Sequence, residues 1–255
     1  MNPLYLGTSE RRLFGIYEPP AVKCGRPRAA VLCYPWGSEY VYAHRSMRHL
    51  ATKLSQAGFH TLRFDFFGTG DSSGDPLDAD LTGWEGDTES AIEGLKDIAG
   101  TTRVTLVGMR IGGTVAAKAA AQLADEIEAL VMWDPIVSGA EYLRSMDITV
   151  PAPVQMAAPD ALAVAEIDGY PLSARMLRDF EAIDLRADLA AAKQRSLLLV
   201  TERLASHEDL ERDMPVAGAR AALEFVLARC PWREDVALTG AVQVQAIQRI
   251  VEWLA

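Results

Sequence analysis

The sequence predicts an α/β fold: a mostly parallel central sheet with helices on both faces. Three observations lead there. Apolar runs of strand length alternate with segments whose apolar residues recur at helical spacing, from Ala29 through Trp133. The runs Ala29–Tyr34, Val104–Val107 and Ile127–Trp133 are apolar almost throughout, as strands covered on both faces must be. The chain has 255 residues, enough for one large domain that buries roughly 70–75% of its unfolded surface.

Taken in order, residues 4–18 read as two short strands around a turn at Gly7-Thr8-Ser9-Glu10, closed off by Pro19-Pro20. The buried strand 29–34 stops at Pro35-Trp36-Gly37-Ser38-Glu39-Tyr40. A helix over 44–57 follows, with Met47, Leu50, Leu54 and Ala57 on one face and Gly58 at its end. Phe59–Phe64 is the next strand and leads into the glycine-rich Asp65–Gly74 segment. Residues 84–98 form an amphipathic helix, with Trp84, Ala91, Leu95 and Ile98 on its inner side.

Next comes Val104-Thr105-Leu106-Val107-Gly108-Met109-Arg110-Ile111-Gly112-Gly113-Thr114, a β-branched run that ends in a glycine, a sharp turn, and an alanine-rich helix over 111–124. Small residues on both sides let the chain reverse over one residue, Arg110. After the strand Ile127–Trp133 and Asp134-Pro135 the alternation breaks down. Residues 137–190 are proline- and alanine-dense (Pro151, Pro153, Pro159), with one helix near 173–182. They read as a small helical lid between a core formed by 1–136 and 191–255. Ser196–Val200, a helix over 206–213, a last strand near 222–227 and a helix over 241–254 complete the core.

Lysine and arginine total 25 against 35 aspartate and glutamate, a formal charge of −10. Such a surface repels phosphate backbones, which argues against nucleic acid. The only basic clusters, Arg11-Arg12 and Lys23–Arg28, read as solvated turns. No apolar run is long enough to span a bilayer. Met1–Glu10 lacks a basic-then-apolar leader. Cys24, Cys33 and Cys230 have neither metal-ligand nor disulfide spacing. The expectation is a cytoplasmic protein without metal or cofactor, with a small-molecule partner; a homodimer is compatible with it.

These segments resemble the α/β-hydrolase superfamily over nearly the whole chain, and more narrowly its serine-aminopeptidase-like branch. Within that branch the likeness is to bacterial exosortase-associated hydrolase-like proteins. Pro35-Trp36-Gly37 resembles the loop carrying an oxyanion-hole amide, Asp65–Ser72 the branch's Asp-x-x-Gly-x-Gly-x-Ser loop, and Gly108–Gly112 the nucleophile elbow. Gly169-Tyr170-Pro171-Leu172 resembles its lid segment. The resemblance implies a serine at the elbow, a histidine after the last strand and an acid after the strand ending near Val200. Here Arg110 stands at the elbow. No histidine follows His207, and Glu202 or Asp209 fills the acid's place.

Arg110 at a helix start makes an anion or carbonyl site, or else an internal ion pair with Asp134 at the end of the next strand. Asp134, as an acid that would orient a base, and His44 are candidate catalytic groups near the cleft, and His207 a weaker one. Trp36, Gly37, Glu39, Tyr40, Met109 and Ile111 are the expected substrate-binding residues. Three readings stay open: a non-serine enzyme acting on an acyl, ester or carboxylate-bearing molecule; a pseudoenzyme binding an acyl ligand or protein; and a hydrolase or thioesterase with an unrecognised nucleophile.

Overall fold

The computed structural model describes residues 1–22, 24–146, 148–149, 163–213 and 221–255. A hairpin of β1 (Asn2–Gly7) and β2 (Arg12–Glu18) opens the chain, and β3 (Arg28–Cys33) leads into α1 (Ser38–Gln56). Then come β4 (Phe59–Phe64), α2 (Leu81–Ala99), β5 (Val104–Met109), α3 (Ile111–Gln122) and β6 (Ile127–Trp133). Between β6 and the next strand of the main sheet lie α4 (Gly139–Ser145), β7 (Ile148–Thr149), β8 (Ala163–Ile167), β9 (Tyr170–Ser173), α5 (Ala174–Glu181) and α6 (Leu185–Ala191). The chain ends with β10 (Arg195–Val200), α7 (Ala205–Asp213), β11 (Ala221–Phe225), α8 (Glu234–Leu238) and α9 (Val244–Leu254).

Among the described residues, eight strands form one sheet in the order β1-β2-β4-β3-β5-β6-β10-β11. The β1–β2 and β2–β4 pairs are antiparallel and every later pair is parallel. Each face carries its own core. On one, Trp84, Ile92, Leu95 and Val115 of α2 and α3 pack on the sheet. On the other, Met47, Leu50 and Leu54 of α1 meet Ile247 and Ile250 of α9. Parallel crossovers put the loops after β3, β5, β6 and β10 at one edge, so the ends of those strands form the floor of any cleft.

Local chemistry sets the boundaries. Asp80 caps α2 by accepting from the Gly83 amide at 2.6 Å, and Gly100 ends it in the left-handed region at φ 64°. Ile98 is 42% exposed rather than on the inner side, because the helix's buried stripe runs through Leu95 and Ala99. Helix α1 starts at Ser38, six residues before the expected 44, since Gly37 at φ 66° turns the chain directly into it. The 137–190 segment is not purely helical: β7, β8 and β9 form a three-stranded antiparallel sheet. Its proline-dense part, with Pro151, Pro153 and Pro159, lies outside the described residues. Arg11 is more than a solvated turn residue; it pairs with buried Asp87 and stacks on Phe67.

The turn after β5 depends on bare backbone. A Cβ on Gly112 would overlap the Cys33 and Tyr34 carbonyl oxygens, and one on Gly108 would overlap the Gly112 carbonyl. Neither obstacle is a side chain that can rotate away. Gly112→Ala should therefore destabilise the fold by about 3 kcal/mol, the upper end of overpacking. Gly86, on the same side of the sheet in α2, has open space around it. Gly86→Ala should be neutral or stabilise by up to about 1 kcal/mol. Urea midpoints of the two variants would check this, and equal midpoints would remove the close approach from the account.

Candidate functional site

Arg110 sits between β5 and α3 with φ 54° and ψ −125°, and Asp134 follows β6 at φ 45°. Residues other than glycine held there cost about 1–3 kcal/mol each and concentrate at functional sites. The third such residue, Asp168 at φ 50°, precedes Gly169 at φ 79° in the β8–β9 turn, where both conformations are what a two-residue hairpin needs. Arg110 and Asp134 have no such local explanation. Their amides lock them to neighbouring strand ends: Arg110 N–H donates to the Trp133 carbonyl at 3.0 Å, and Asp134 N–H to the Leu199 carbonyl at 2.8 Å.

The carboxylate beside Arg110 is Glu39, not Asp134. Arg110 Nε donates to Glu39 Oε1 at 2.9 Å, and Nη1 donates to the Asp134 main-chain oxygen at 3.3 Å. The guanidinium lies 4.8 Å from the Trp232 ring centre and 5.5 Å from that of Tyr142. Asp134 turns its own carboxylate the other way, accepting from Thr201 N–H at 2.6 Å and Thr201 O–H at 2.8 Å. The next strand end supplies two donors that suit the carboxylate better than a shared guanidinium would. Burial pushes the Glu39 carboxyl up against the opposing pull of Arg110. Burial also pushes Asp134 up, to about 7, with the Thr201 bonds and Arg110 opposing. Arg110 is held above its ordinary value: burial, the largest single influence, lowers it, and the Glu39 charge and hydrogen bond together with Tyr142 and Asp134 more than offset that.

Above this pair opens a cleft of about 760 Å³. Glu39 and Tyr42 of α1, Arg110, Met146 and Asp168 of the inserted segment, and Trp232 are among the residues that face it. Of the residues expected from sequence, Arg110 and Glu39 are here. Trp36, Gly37 and Tyr40 instead line a separate pocket of about 280 Å³, with Gly68, Gly70 and Tyr170. Met109 and Ile111 are fully buried, one in each core. Neither is among the residues that line the cleft. His44 is on the exposed side of α1, its ring against Tyr34 and Tyr40, and does not line the cleft. His207 is buried in α7, its Nδ1 facing the Leu204 amide and the Glu202 carbonyl.

Other candidates have structural duties. Cys33 is sealed in the sheet, where burial raises its thiol to about 12. Ser72 O–H donates to the Asp65 carbonyl at 2.6 Å, and Asp65 accepts from the Asp71 amide at 3.0 Å and Tyr40 O–H at 2.9 Å, so the glycine-rich loop is held by its own side chains. Sequence reasoning missed Tyr142 and Trp232. Tyr142 gave no signal, being one aromatic in an unassigned stretch. Trp232 did, because it stands between the last strand and last helix, in the stretch searched only for a histidine. Among the described residues, no three His, Cys, Asp or Glu side chains are grouped to hold a metal ion. None of their helices is long and apolar enough to cross a membrane.

A family model described as serine aminopeptidase, S33, matches residues 26–214. The human protein ABHD12B is 35% identical over 109 residues, which cover 38% of this chain and 29% of that protein. The chain thus spans less than a third of this relative's length. The structure of Est1E from Butyrivibrio proteoclasticus with bound ferulic acid superposes with a TM-score of 0.70 at 17% identity, covering 98% of this chain and 97% of that one. Dienelactone hydrolase from Anabaena variabilis gives 0.61 at 17% identity, covering 99% and 95%. At such identities the likeness to both structures is one of fold.

Proposed function

Given that the chain belongs to the serine aminopeptidase S33 family and has the α/β-hydrolase fold, we propose that it binds a small acyl ligand in its cleft and does not hydrolyse it by serine chemistry. The observation that carries this is the Arg110 guanidinium at the elbow, fixed by Glu39 and flanked by the rings of Trp232 and Tyr142. A guanidinium stays protonated at any working pH and cannot act as a nucleophile. Trp232 stands in the stretch where the family places its base, and an indole offers only a donor.

What Arg110 retains is binding capacity. Its Nε and Nη1 are engaged, and Nη2 has no partner among the described residues. A ligand carbonyl or carboxylate oxygen meeting Nη2 fits the pseudoenzyme reading better than catalysis. Residues 137–190 would act as the lid over that ligand, since Met146 and Asp168 of this segment face the cleft. The expected solution behaviour is of a protein in the cytoplasm.

The test is a fluorophosphonate probe. The wild-type protein should show no serine labelling, and Arg110→Ser alone should stay unlabelled, because no histidine stands at Trp232 to activate the new hydroxyl. Stoichiometric labelling of any serine in the wild type would overturn the reading in favour of a hydrolase with an unrecognised nucleophile.

A further inference from the structure

Resting on the reading of the cleft as a binding site, we infer that its ligand carries a positively charged nitrogen, an ammonium or guanidinium, at the end away from Arg110. The charges facing the cleft decide it. Among the described residues, five carboxylates line it, those of Glu39, Asp168, Glu202, Glu234 and Asp235, against the guanidiniums of Arg110 and Arg233. Arg110 is paired with Glu39, and Arg233 lies 3.8 Å from Glu202. Asp168, which accepts from Ser38 O–H at 2.6 Å, and Glu234 and Asp235 line the cleft without an ion pair to any described residue.

These three come from two separate elements, the β8–β9 turn and the first turn of α8, so one loop's composition does not produce the field. They act on the same ring between them: the charges of Glu234 and Asp168, after burial, help to raise the Tyr42 hydroxyl. Tyr42 also lines the cleft, and an aromatic ring is suited to a desolvated cation. Deeper in the wall, Glu39 is 5% exposed and its Oε2 has no hydrogen-bond partner. A carboxylate offers about four lone-pair sites, so this buried oxygen, next to the one Arg110 holds, is an acceptor open to an N–H at the ligand's Arg110 end. The carboxylates are spread out instead of converging as metal ligands do. That arrangement suits an organic cation with several N–H donors. An anionic tail at the mouth would meet like charge, so the carboxylate-bearing ligand expected from sequence fits only with its oxygen at Arg110.

Three acetamides of matched length test this by calorimetry on the whole protein: N-acetylputrescine (cationic), N-pentylacetamide (neutral) and N-acetyl-4-aminobutyrate (anionic). N-acetylputrescine should bind about tenfold tighter than the neutral compound, and the anion weakest. The advantage should shrink to about threefold or less in about 0.5 M salt. It should shrink equally in the Glu234→Gln/Asp235→Asn double variant, whose exposed positions leave folding intact. Equal affinities for the cation and the neutral compound would overturn the inference while leaving the binding reading in place. Failure of all three to bind at millimolar concentration would overturn both.

Discussion

Glu39→Ala should destabilise the protein by about 3–5 kcal/mol, the usual cost of stranding one member of a buried ion pair. Arg110 has a side chain only 11% exposed, and Glu39 is its one carboxylate partner among the described residues. Coulomb attraction, one charge-assisted hydrogen bond and the fixed position of the fork are lost together. The Trp232 and Tyr142 faces remain, yet cation–π contacts are worth about 0.5–2 kcal/mol and do not replace a carboxylate. Arg110→Met should cost less than Glu39→Ala, and the asymmetry has a physical cause. An unpartnered Glu39 can take up a proton, as its raised carboxyl already favours, whereas an unpartnered arginine cannot shed one. The double variant should recover most of the loss, giving a large coupling in a double-mutant cycle read by urea unfolding. If Glu39→Ala falls within about 1 kcal/mol of wild type, the guanidinium swings into the cleft and is solvated there, and the locked elbow goes with it.

How much of this was legible beforehand follows from which signals are local. The sheet order rests on strands such as Ile127–Trp133, whose apolar run matches β6 residue for residue. The turn at Arg110 could be read because glycines at 108 and 112 are required by backbone approach, which composition records directly. Its partner could not be read. Adjacent strand ends suggest Asp134, but Glu39 arrives from a helix that begins at Ser38, and that start depends on Gly37 taking φ 66°. Helical phase then decides which neighbour reaches which pocket. Glu39 turns toward Arg110, while Tyr40, one residue on, turns its hydroxyl to Asp65 on the other side. A slip of one residue in α1 would exchange them. The inserted segment was opaque for another reason: its strands are short, two to five residues, and too brief for a period to show.

Asp134→Asn should change how stability depends on pH by about 4 kcal/mol between pH 4 and pH 7. Asp134 is 1% exposed, and burial lifts its carboxyl to about 7 despite two bonds from Thr201. In the unfolded chain it ionises near its ordinary value of about 3.9. Between those values the folded protein holds a proton that the unfolded chain has released. The unfolded state then binds fewer protons, so stability falls as pH rises, by about 1.4 kcal/mol per unit from this group. Below pH 4 both states are protonated and above pH 7 both are ionised, so the contribution is flat at each end. Asparagine does not titrate. Its carbonyl can accept from the Thr201 amide, and the Thr201 hydroxyl can rotate to accept from its NH₂. The difference, variant minus wild type, should therefore grow in the variant's favour from pH 4 to pH 7 and then level off, with other titrations cancelling in the subtraction. Arg110 opposes the rise in Asp134, so Arg110→Met should push the levelling-off point to higher pH. A difference that stays constant from pH 4 to pH 8 would mean that Asp134 ionises in the fold as it does in the open chain. The Thr201 bonds would then outweigh burial, and the strand end beside Arg110 would carry a full negative charge throughout that range.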